Sequence, residues 1–144
     1  MTRCIVCGVD GSPDARAAFR VAAELSNQLG LRLVVAHVAQ PAVVAVGSAG
    51  PLAPGLTNAD IHAAEQLIEQ IVVEEGLVNA ERRVALGFPA ERLADLADEE
   101  RAELIVVGSR GRGAFRAAFL GSVSNDLIGI ARCPVVVVPP GAAT

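Results

Sequence analysis

In "VVGSRGRGAFRAAFLGSVSND", residues 106–126, an apolar run ends in a glycine-rich loop that leads into a helix, an arrangement typical of α/β folds. Val106 and Val107 belong to the run "ELIVVG", whose continuous apolar character is typical of a strand covered on both faces. The pair Gly121-Ser122 then marks the start of the helix. Because ligands bind where parallel strands end, this loop is a candidate binding segment.

Apolar runs alternate with amphipathic segments along the whole chain. Five runs predict strands, namely "CIVCGVD" (4–10), "LRLVVAHV" (31–38), "RRVALG" (82–87), "ELIVVG" (103–108) and "PVVVVP" (134–139). Helices are predicted from Pro13, capped by Ser12, to Gly30; from Asn58, as the cap, to about Glu75; from Pro89 onward; and from Ser122 to about Ala131. The alternation predicts one α/β domain over residues 1–144, a doubly wound (Rossmann-like or flavodoxin-like) five-stranded parallel sheet of order 3-2-1-4-5 with helices on both faces.

Residues 39–58, "AQPAVVAVGSAGPLAPGLTN", show no clear period and are rich in proline, glycine and alanine. We therefore expect a long, flexible loop there. Within it, "VVAV" is the part with some tendency to form a short piece of regular structure.

Composition narrows the class of protein. Hydrophobic residues make up 52% of the 144, but no window approaches the ~18 uninterrupted apolar residues of a membrane span. The opening "MTRCIVCGVDGSPD" becomes charged too early for a signal peptide, so a cytoplasmic location is expected. Residues 104–144 carry four arginines against one acid, Asp126, in a chain of net charge −4. Such a local basic patch suits a small anion and not nucleic acid.

The chain has no lysine, which excludes a Walker-type phosphate lysine and a Schiff base. Cys4 and Cys7 form a C-x-x-C within one predicted strand, which places them ~10 Å apart on opposite faces, beyond the ~7 Å between Cα atoms that a disulfide allows. We interpret both, and Cys133, as packed apolar residues. His37 is expected to line a pocket or the core, and His62 to lie on the surface.

The glycine stretch predicts a phosphate site built from the main chain. Gly108 would leave room for a ligand, and Gly111 and Gly113 permit the positive φ angles that point successive amides into one concavity. Gly121 opens a helix whose first amides and positive dipole end face outward, and the Ser122 and Ser124 hydroxyls would add donors. The P-loop, the dinucleotide fingerprint and the nucleophile elbow do not fit this spacing.

The sequence resembles the universal stress protein family, in the subgroup that binds ATP. That family's motif is G-x2-G-x9-G-[S/T], which Gly108, Gly111, Gly121 and Ser122 match at every position. The opening "IVCGVDGSPDARAAFRVAAELS", the strand "VVAHV" and the closing "ARCPVVVVP" also resemble the family. The likeness covers essentially the whole chain.

The resemblance implies an ATP site with Mg²⁺. Asp10, with Gly8, Val9 and Gly11 around it, would lie beside ribose and phosphates, and Asp10 would help to hold the metal. Val38 would line the adenine pocket, and Val107 and Gly108 would contact ribose and adenine. The triphosphate would be wrapped by Gly108, Ser109, Arg110, Gly111, Arg112, Gly113 and Ala114 and by Gly121, Ser122, Val123 and Ser124.

The resemblance also implies a homodimer through the last strand, at Val135, Val136, Val137 and Val138, and an apolar strand at a sheet edge does need cover. Three functions stay open: a nucleotide-binding regulatory module, a slow ATPase or phosphoryl- or adenylyl-transferring enzyme, and an interaction protein that uses no nucleotide. No residue is assigned as general base or nucleophile, which favours binding over turnover. No membrane or nucleic-acid partner is expected.

Overall fold

The computed structural model describes residues 2–40, 44–45, 51–52, 57–110 and 120–141. Its main sheet has five parallel strands, β1 (Cys4–Gly8), β2 (Arg32–Ala39), β3 (Glu81–Leu86), β4 (Ala102–Gly108) and β5 (Val135–Val138). They lie side by side in the order β3-β2-β1-β4-β5. The predicted fold class and strand order are therefore confirmed.

Four helices connect the strands, α1 (Pro13–Leu29), α2 (Asn58–Glu74), α3 (Pro89–Glu99) and α4 (Ser122–Ile130). Ser12 caps α1 as predicted, by accepting a hydrogen bond from the Ala15 amide. The prediction that Asn58 caps α2 is wrong. Thr57 is the cap, and it exchanges hydrogen bonds with Asp60 in a capping box that satisfies two amides at once. The hydrogen bonds that the Asp60 carboxylate accepts from the Thr57 amide and hydroxyl hold the pKa of this carboxyl below its usual range.

The helices cover both faces of the sheet. Phe19 of α1 and Ile68 of α2 are fully buried in one core together with Ile5 and Cys7 of β1. Leu93 of α3 and Leu127 of α4 pack in a second core, with Val6, Cys4 and Val34 from the other side of the same strands. Because β1 contributes alternate residues to the two cores, its nearly continuous apolar sequence is explained.

The described residues between β2 and α2 include one short piece of regular structure. Val44–Ala45 pairs in antiparallel fashion with Pro51–Leu52. Residues 41–43, 46–50 and 53–56 lie outside the described part, so the flexible loop predicted at 39–58 stays a prediction. Among the described helices, none has the length and apolar character needed to cross a membrane.

The two cysteines of the C-x-x-C lie in different cores. Cys4 and Cys7 are both free and fully buried, and they belong to the clusters on opposite faces of the sheet. Burial raises the pKa of Cys7 to about 12, and it also raises the pKa of Cys4. The structure thus supports the interpretation of these thiols as packing residues.

We predict that Cys4 and Cys7 do not react with Ellman's reagent at pH 8 in the native protein, because they are buried and their thiolates are disfavoured. Half-buried Cys133 alone should react, and all three thiols should react after unfolding in guanidinium chloride. Reaction of more than one thiol in the native state, or a Cys4–Cys7 disulfide found by mass spectrometry, would contradict this assignment.

Candidate functional site

A cleft of about 1160 Å³ opens at the carboxyl ends of β1, β2 and β4. β1 and β4 are direct neighbours, and the helices that follow them lie on opposite faces of the sheet. This is the point where the winding reverses, the usual ligand position in such sheets. The predicted site residues that line the cleft are Gly8, Val9, Asp10, Val38, Val107, Gly108, Arg110, Gly121, Ser122, Val123 and Ser124.

A tight turn carries the chain from β1 into α1. The Asp10 carboxylate accepts a hydrogen bond from the Ser12 amide at 3.0 Å, and Gly11 adopts a φ of +82° that few other residues tolerate. Gly11 therefore serves the turn and does not line the cleft, whereas half-buried Asp10 does. The local sequence D-G-S places one carboxylate at the mouth of the cleft.

Ser109, directly after β4, connects three elements of the fold. Its amide donates to the Val138 carbonyl at 2.8 Å, and its hydroxyl donates to the Asp14 carboxylate of α1 at 3.2 Å. Its carbonyl accepts the Gly121 amide at 2.5 Å and the Ser124 hydroxyl at 3.1 Å. We call this set of contacts the Ser109 hub.

The hub changes the roles expected for three residues. Ser109 is 5% exposed and Ser124 is 2% exposed, and both hydroxyls donate within the protein. The expectation that the Ser124 hydroxyl adds a donor for a ligand is therefore not met in this structure. The Gly121 amide likewise donates within the protein, to the Ser109 carbonyl. These groups position the start of α4.

Within the described residues, no side-chain cap is present at the start of α4. The first amides of a helix have no carbonyl partner within it, and these belong to Ser122, Val123 and Ser124. Gly121 supplies no side-chain cap and the first turn contains no acid, whereas α1 and α2 are capped by Ser12 and Thr57. An uncapped helix start without a carboxylate is suited to an anion.

Arg110 adds positive charge near this helix start. It lines the cleft, its amide donates to the Asp14 carboxylate at 3.2 Å, and its Nε lies 3.8 Å from the same oxygen. At that distance the ion pair is loose, so the guanidinium is able to turn toward a bound anion. Gly111, Arg112, Gly113 and Ala114 lie outside the described residues, and their predicted phosphate contacts stay predictions.

Glycine is required at position 108 for a different physical reason from the one expected. A Cβ at this position would lie 2.8 Å from the backbone carbon and oxygen of Asp14, far inside normal contact distance. The missing side chain thus allows α1 to approach β4 closely, and the expected reason, space for a ligand, is not the constraint that the structure shows. Gly8 is similarly crowded, by a Leu93 methyl group at 2.7 Å.

His37 and Val38 form the β2 end of the cleft. Val38 is 8% exposed, in agreement with a pocket-lining role. The His37 Nδ1 lies 2.7 Å from the Val9 carbonyl oxygen, and because a carbonyl only accepts, Nδ1 carries the hydrogen and Nε2 is the acceptor of the neutral ring. No carboxylate orients this ring among the contacts of the described residues, unlike the histidine of a catalytic triad. His62 is exposed, as predicted.

The sequence analysis missed one wall of the cleft. The start of α3 (Phe88, Pro89, Ala90, Glu91 and Leu93) and the body of α4 (Asn125, Asp126, Gly129 and Ile130) also line it. The signal for the first group was present, because "GFP" at residues 87–89 follows the carboxyl end of β3 just as Asp10 follows that of β1. Which residues of α4 line the cleft depends on how that helix packs, and the local sequence does not specify this packing.

The donor set is compatible with Mg²⁺ only if a ligand contributes. Among the described residues, no group of three or more histidine, cysteine, aspartate or glutamate side chains is arranged to hold a metal. Mg²⁺ is commonly held by one or two carboxylates together with phosphate oxygens and water. Asp10, a carboxylate that lines the same cleft as the start of α4, fits that pattern.

Comparison with known proteins agrees with this architecture. The model of the universal stress protein family matches residues 1–139. A universal stress protein of Thermus aquaticus is 33% identical over 138 residues, which are 96% of this chain and 99% of that one. A Mycolicibacterium smegmatis universal stress protein is 34% identical over 94% of this chain, which spans only 45% of that relative. The chain belongs to the universal stress protein family.

Solved structures of the same family share the fold. UspA of Lactobacillus plantarum superimposes with a TM-score of 0.77 at 23% identity, over 95% of this chain and 97% of that one. A universal stress protein of Archaeoglobus fulgidus in complex with dAMP has a TM-score of 0.64 at 27% identity, over 94% and 97%. One in complex with cAMP has a TM-score of 0.69 at 24% identity, over 97% and 99%. Some members of this family thus bind adenine nucleotides.

We predict that Gly108→Ala destabilises the protein by about 1–3 kcal/mol, because the added methyl group meets the backbone of α1. Urea denaturation followed by circular dichroism measures the change. Gly129→Ala is the matched control, since a Cβ there meets nothing within 4 Å and the residue is helical. The control should leave stability unchanged or raise it by up to about 1 kcal/mol. Equal effects of the two changes would contradict the packing role of Gly108.

Proposed function

We propose that this chain is a nucleotide-binding regulatory module that binds ATP with Mg²⁺ and signals through its bound state. The observation that carries the proposal is the start of α4, which lines the cleft at the point of reversed winding and whose first turn has no acid and no side-chain cap from Gly121. Backbone amides and a helix dipole bind phosphate without lysine, which suits a chain that has none. The dAMP complex of the Archaeoglobus fulgidus relative supports an adenine nucleotide.

Each part of the nucleotide has a matching part of the cleft. Val38 and Val107 are buried and apolar and would contact the base and ribose. The amides of Ser122, Val123 and Ser124, with Arg110, would hold the phosphates. The Ser109 hub keeps these two regions in a fixed relation, because it joins the end of β4 to the start of α4.

Asp10 is the residue that would hold Mg²⁺, with phosphate oxygens as the other ligands. Bound Mg²⁺ neutralises part of the negative charge of a triphosphate. The Asp10 carboxylate already accepts the Ser12 amide through Oδ1, which fixes its orientation at the mouth of the cleft. Asp10 would therefore supply a negative charge in a fixed position, without a larger cluster of carboxylates.

We infer binding without efficient turnover. His37, the histidine of the cleft, is hydrogen-bonded through Nδ1 to a main-chain carbonyl, and Ser109 and Ser124 donate within the protein. None of these contacts activates a nucleophile.

We further propose that β5, an edge strand whose first three residues are half-buried, pairs with β5 of a second copy. We also propose that the protein acts in the cytoplasm.

The variant Gly121→Asp tests the phosphate site. Gly121 has a φ of −73°, which aspartate adopts without strain, and aspartate is a favoured helix cap. The new carboxylate would cap α4 and repel phosphate, so calorimetry should show a Kd for Mg-ATP at least about 100-fold higher, while stability to urea does not fall.

The control for Gly121→Asp is Ile128→Asp, which places the same charge on α4 at a residue that is 57% exposed and does not line the cleft. This variant should keep the wild-type affinity for Mg-ATP. Native affinity in Gly121→Asp, or equal losses in both variants, would reject the assignment of phosphates to the start of α4.

The variant Asp10→Asn tests the metal role. Asparagine keeps an oxygen that accepts the Ser12 amide, so the turn is preserved while the charge is lost. The affinity for Mg-ATP should fall by roughly tenfold, which corresponds to about 1.4 kcal/mol, and the affinity for ADP measured in EDTA should not fall. Equal losses for the two ligands would remove Asp10 from any metal role.

A further inference from the structure

Phe88 occupies a helix-cap position that does not suit its side chain. It directly precedes α3, with the extended backbone of a cap (φ −85°, ψ 125°), and its carbonyl accepts the Arg92 amide at 2.9 Å. Caps favour serine, threonine, aspartate and asparagine, whose side-chain oxygens bond the free amides of the first turn. A phenyl ring forms no such bond, so capping does not explain a phenylalanine here.

Packing does not explain the ring either. Phe88 is 71% exposed, the highest value among the large apolar residues that the structure describes, and it belongs to neither of the two described cores. Phe19, in contrast, is fully buried. Aromatic rings are sparse in this chain, which has four phenylalanines and neither tryptophan nor tyrosine. A ring that folding leaves in water keeps its apolar faces available for a ligand.

The pairing of β2 with β3 brings Phe88 to the carboxyl edge of the sheet. In the parallel register, Ala85 of β3 lies opposite Val38 of β2. Beyond the strands, the Gly87 amide donates to the Ala39 carbonyl at 3.1 Å. Phe88 follows at once, and its Cα lies at most about 11 Å from that of Ala85, because it is three residues further along. Phe88 therefore stands just past the end of Val38.

The helix that Phe88 begins covers the face of the sheet on which the base is proposed to bind. Ala90 and Leu93, near the start of α3, belong to the second core. Val38 of β2 and Val107 of β4 belong to the same core. A base held against these two valines would thus meet the start of α3, and Phe88 lines the cleft there.

The charge at this helix start suits an uncharged group. Pro89 has no amide hydrogen, and Glu91 places a carboxylate in the first turn of α3. Both features disfavour an anion, whereas the first turn of α4 contains no acid. Phosphates are therefore favoured at α4 and the uncharged base at α3. This difference orients a nucleotide with its base toward Phe88.

From these observations we propose that Phe88 is a binding residue for the base, and that its ring stacks on one face of a base whose surroundings include Val38 and Val107. The inference rests on the proposed function and adds to it the residue that makes the cleft prefer a nucleotide over its phosphate chain alone. Stacking of a base on an aromatic side chain increases affinity roughly tenfold. No core contact has to break, because the ring is already exposed.

The variant Phe88→Leu tests this assignment with two ligands, Mg-ATP and inorganic triphosphate with Mg²⁺. Leucine keeps an apolar side chain but has no ring to stack. In calorimetry, the Kd for Mg-ATP should rise roughly tenfold, and the Kd for triphosphate, which has no base, should stay at its wild-type value. The comparison of two ligands on one variant separates stacking from any general effect on folding.

The variant Phe88→Trp tests the contact directly. It keeps an aromatic ring, so the affinity for Mg-ATP should be retained, and it introduces the one tryptophan of the chain. Stacking on adenine quenches indole fluorescence, so emission should fall as Mg-ATP is added, with a midpoint at the calorimetric Kd. Val78→Trp is the control, since Val78 is 62% exposed and precedes the amino end of β3, away from the cleft. Its emission should not change.

The outcomes are distinct. If Phe88→Leu binds Mg-ATP as tightly as the wild type, or loses affinity equally for Mg-ATP and triphosphate, the stacking inference is wrong and the proposed function stands. Unchanged emission of Phe88→Trp at saturating Mg-ATP also overturns the inference, because the ring is then not in contact with the base. If the wild-type protein binds neither ligand, the proposed function fails and the inference fails with it.

Discussion

The site depends on the main-chain carbonyl of Ser109, which accepts two hydrogen bonds from the beginning of α4. One comes from the Gly121 amide at 2.5 Å and the other from the Ser124 hydroxyl at 3.1 Å. The same residue is tied to β5 through its amide and to α1 through Asp14. Because Ser109 directly follows β4, these contacts set the position of α4 relative to the carboxyl edge of the sheet.

This arrangement separates residues that build the site from those that offer groups to a ligand. The Ser109 and Ser124 hydroxyls are committed to internal hydrogen bonds, and position 108 must be glycine because a Cβ there would lie 2.8 Å from the backbone of Asp14. The first turn of α4, which Gly121 does not cap, lines the cleft together with Asp10 and Arg110. Buried polar groups that satisfy one another make such a geometry rigid, so a helix start can bind an anion without rearrangement.

Sequence periodicity predicted the strands and their order because the buried strands are nearly continuous apolar runs and each crossover is right-handed. Periodicity does not predict the role of a residue when that role depends on a partner far away in the sequence. Asp14 and Ser109 are 95 positions apart, and nothing local indicates that they meet. The cap Thr57 is a different case, since T-N-A-D carries the spacing of a capping box and locally indicates Thr57, one residue before the predicted cap Asn58.

The most direct test of the account is the response of individual amides to ATP in a two-dimensional ¹⁵N–¹H correlation spectrum. Our account predicts the largest shifts at Ser122 and Val123, whose amides begin α4 without a side-chain cap, and small shifts at the capped start of α2, which does not line the cleft. If saturating Mg-ATP left Ser122 and Val123 unshifted while other amides moved, phosphate would bind elsewhere, and the central claim would be contradicted.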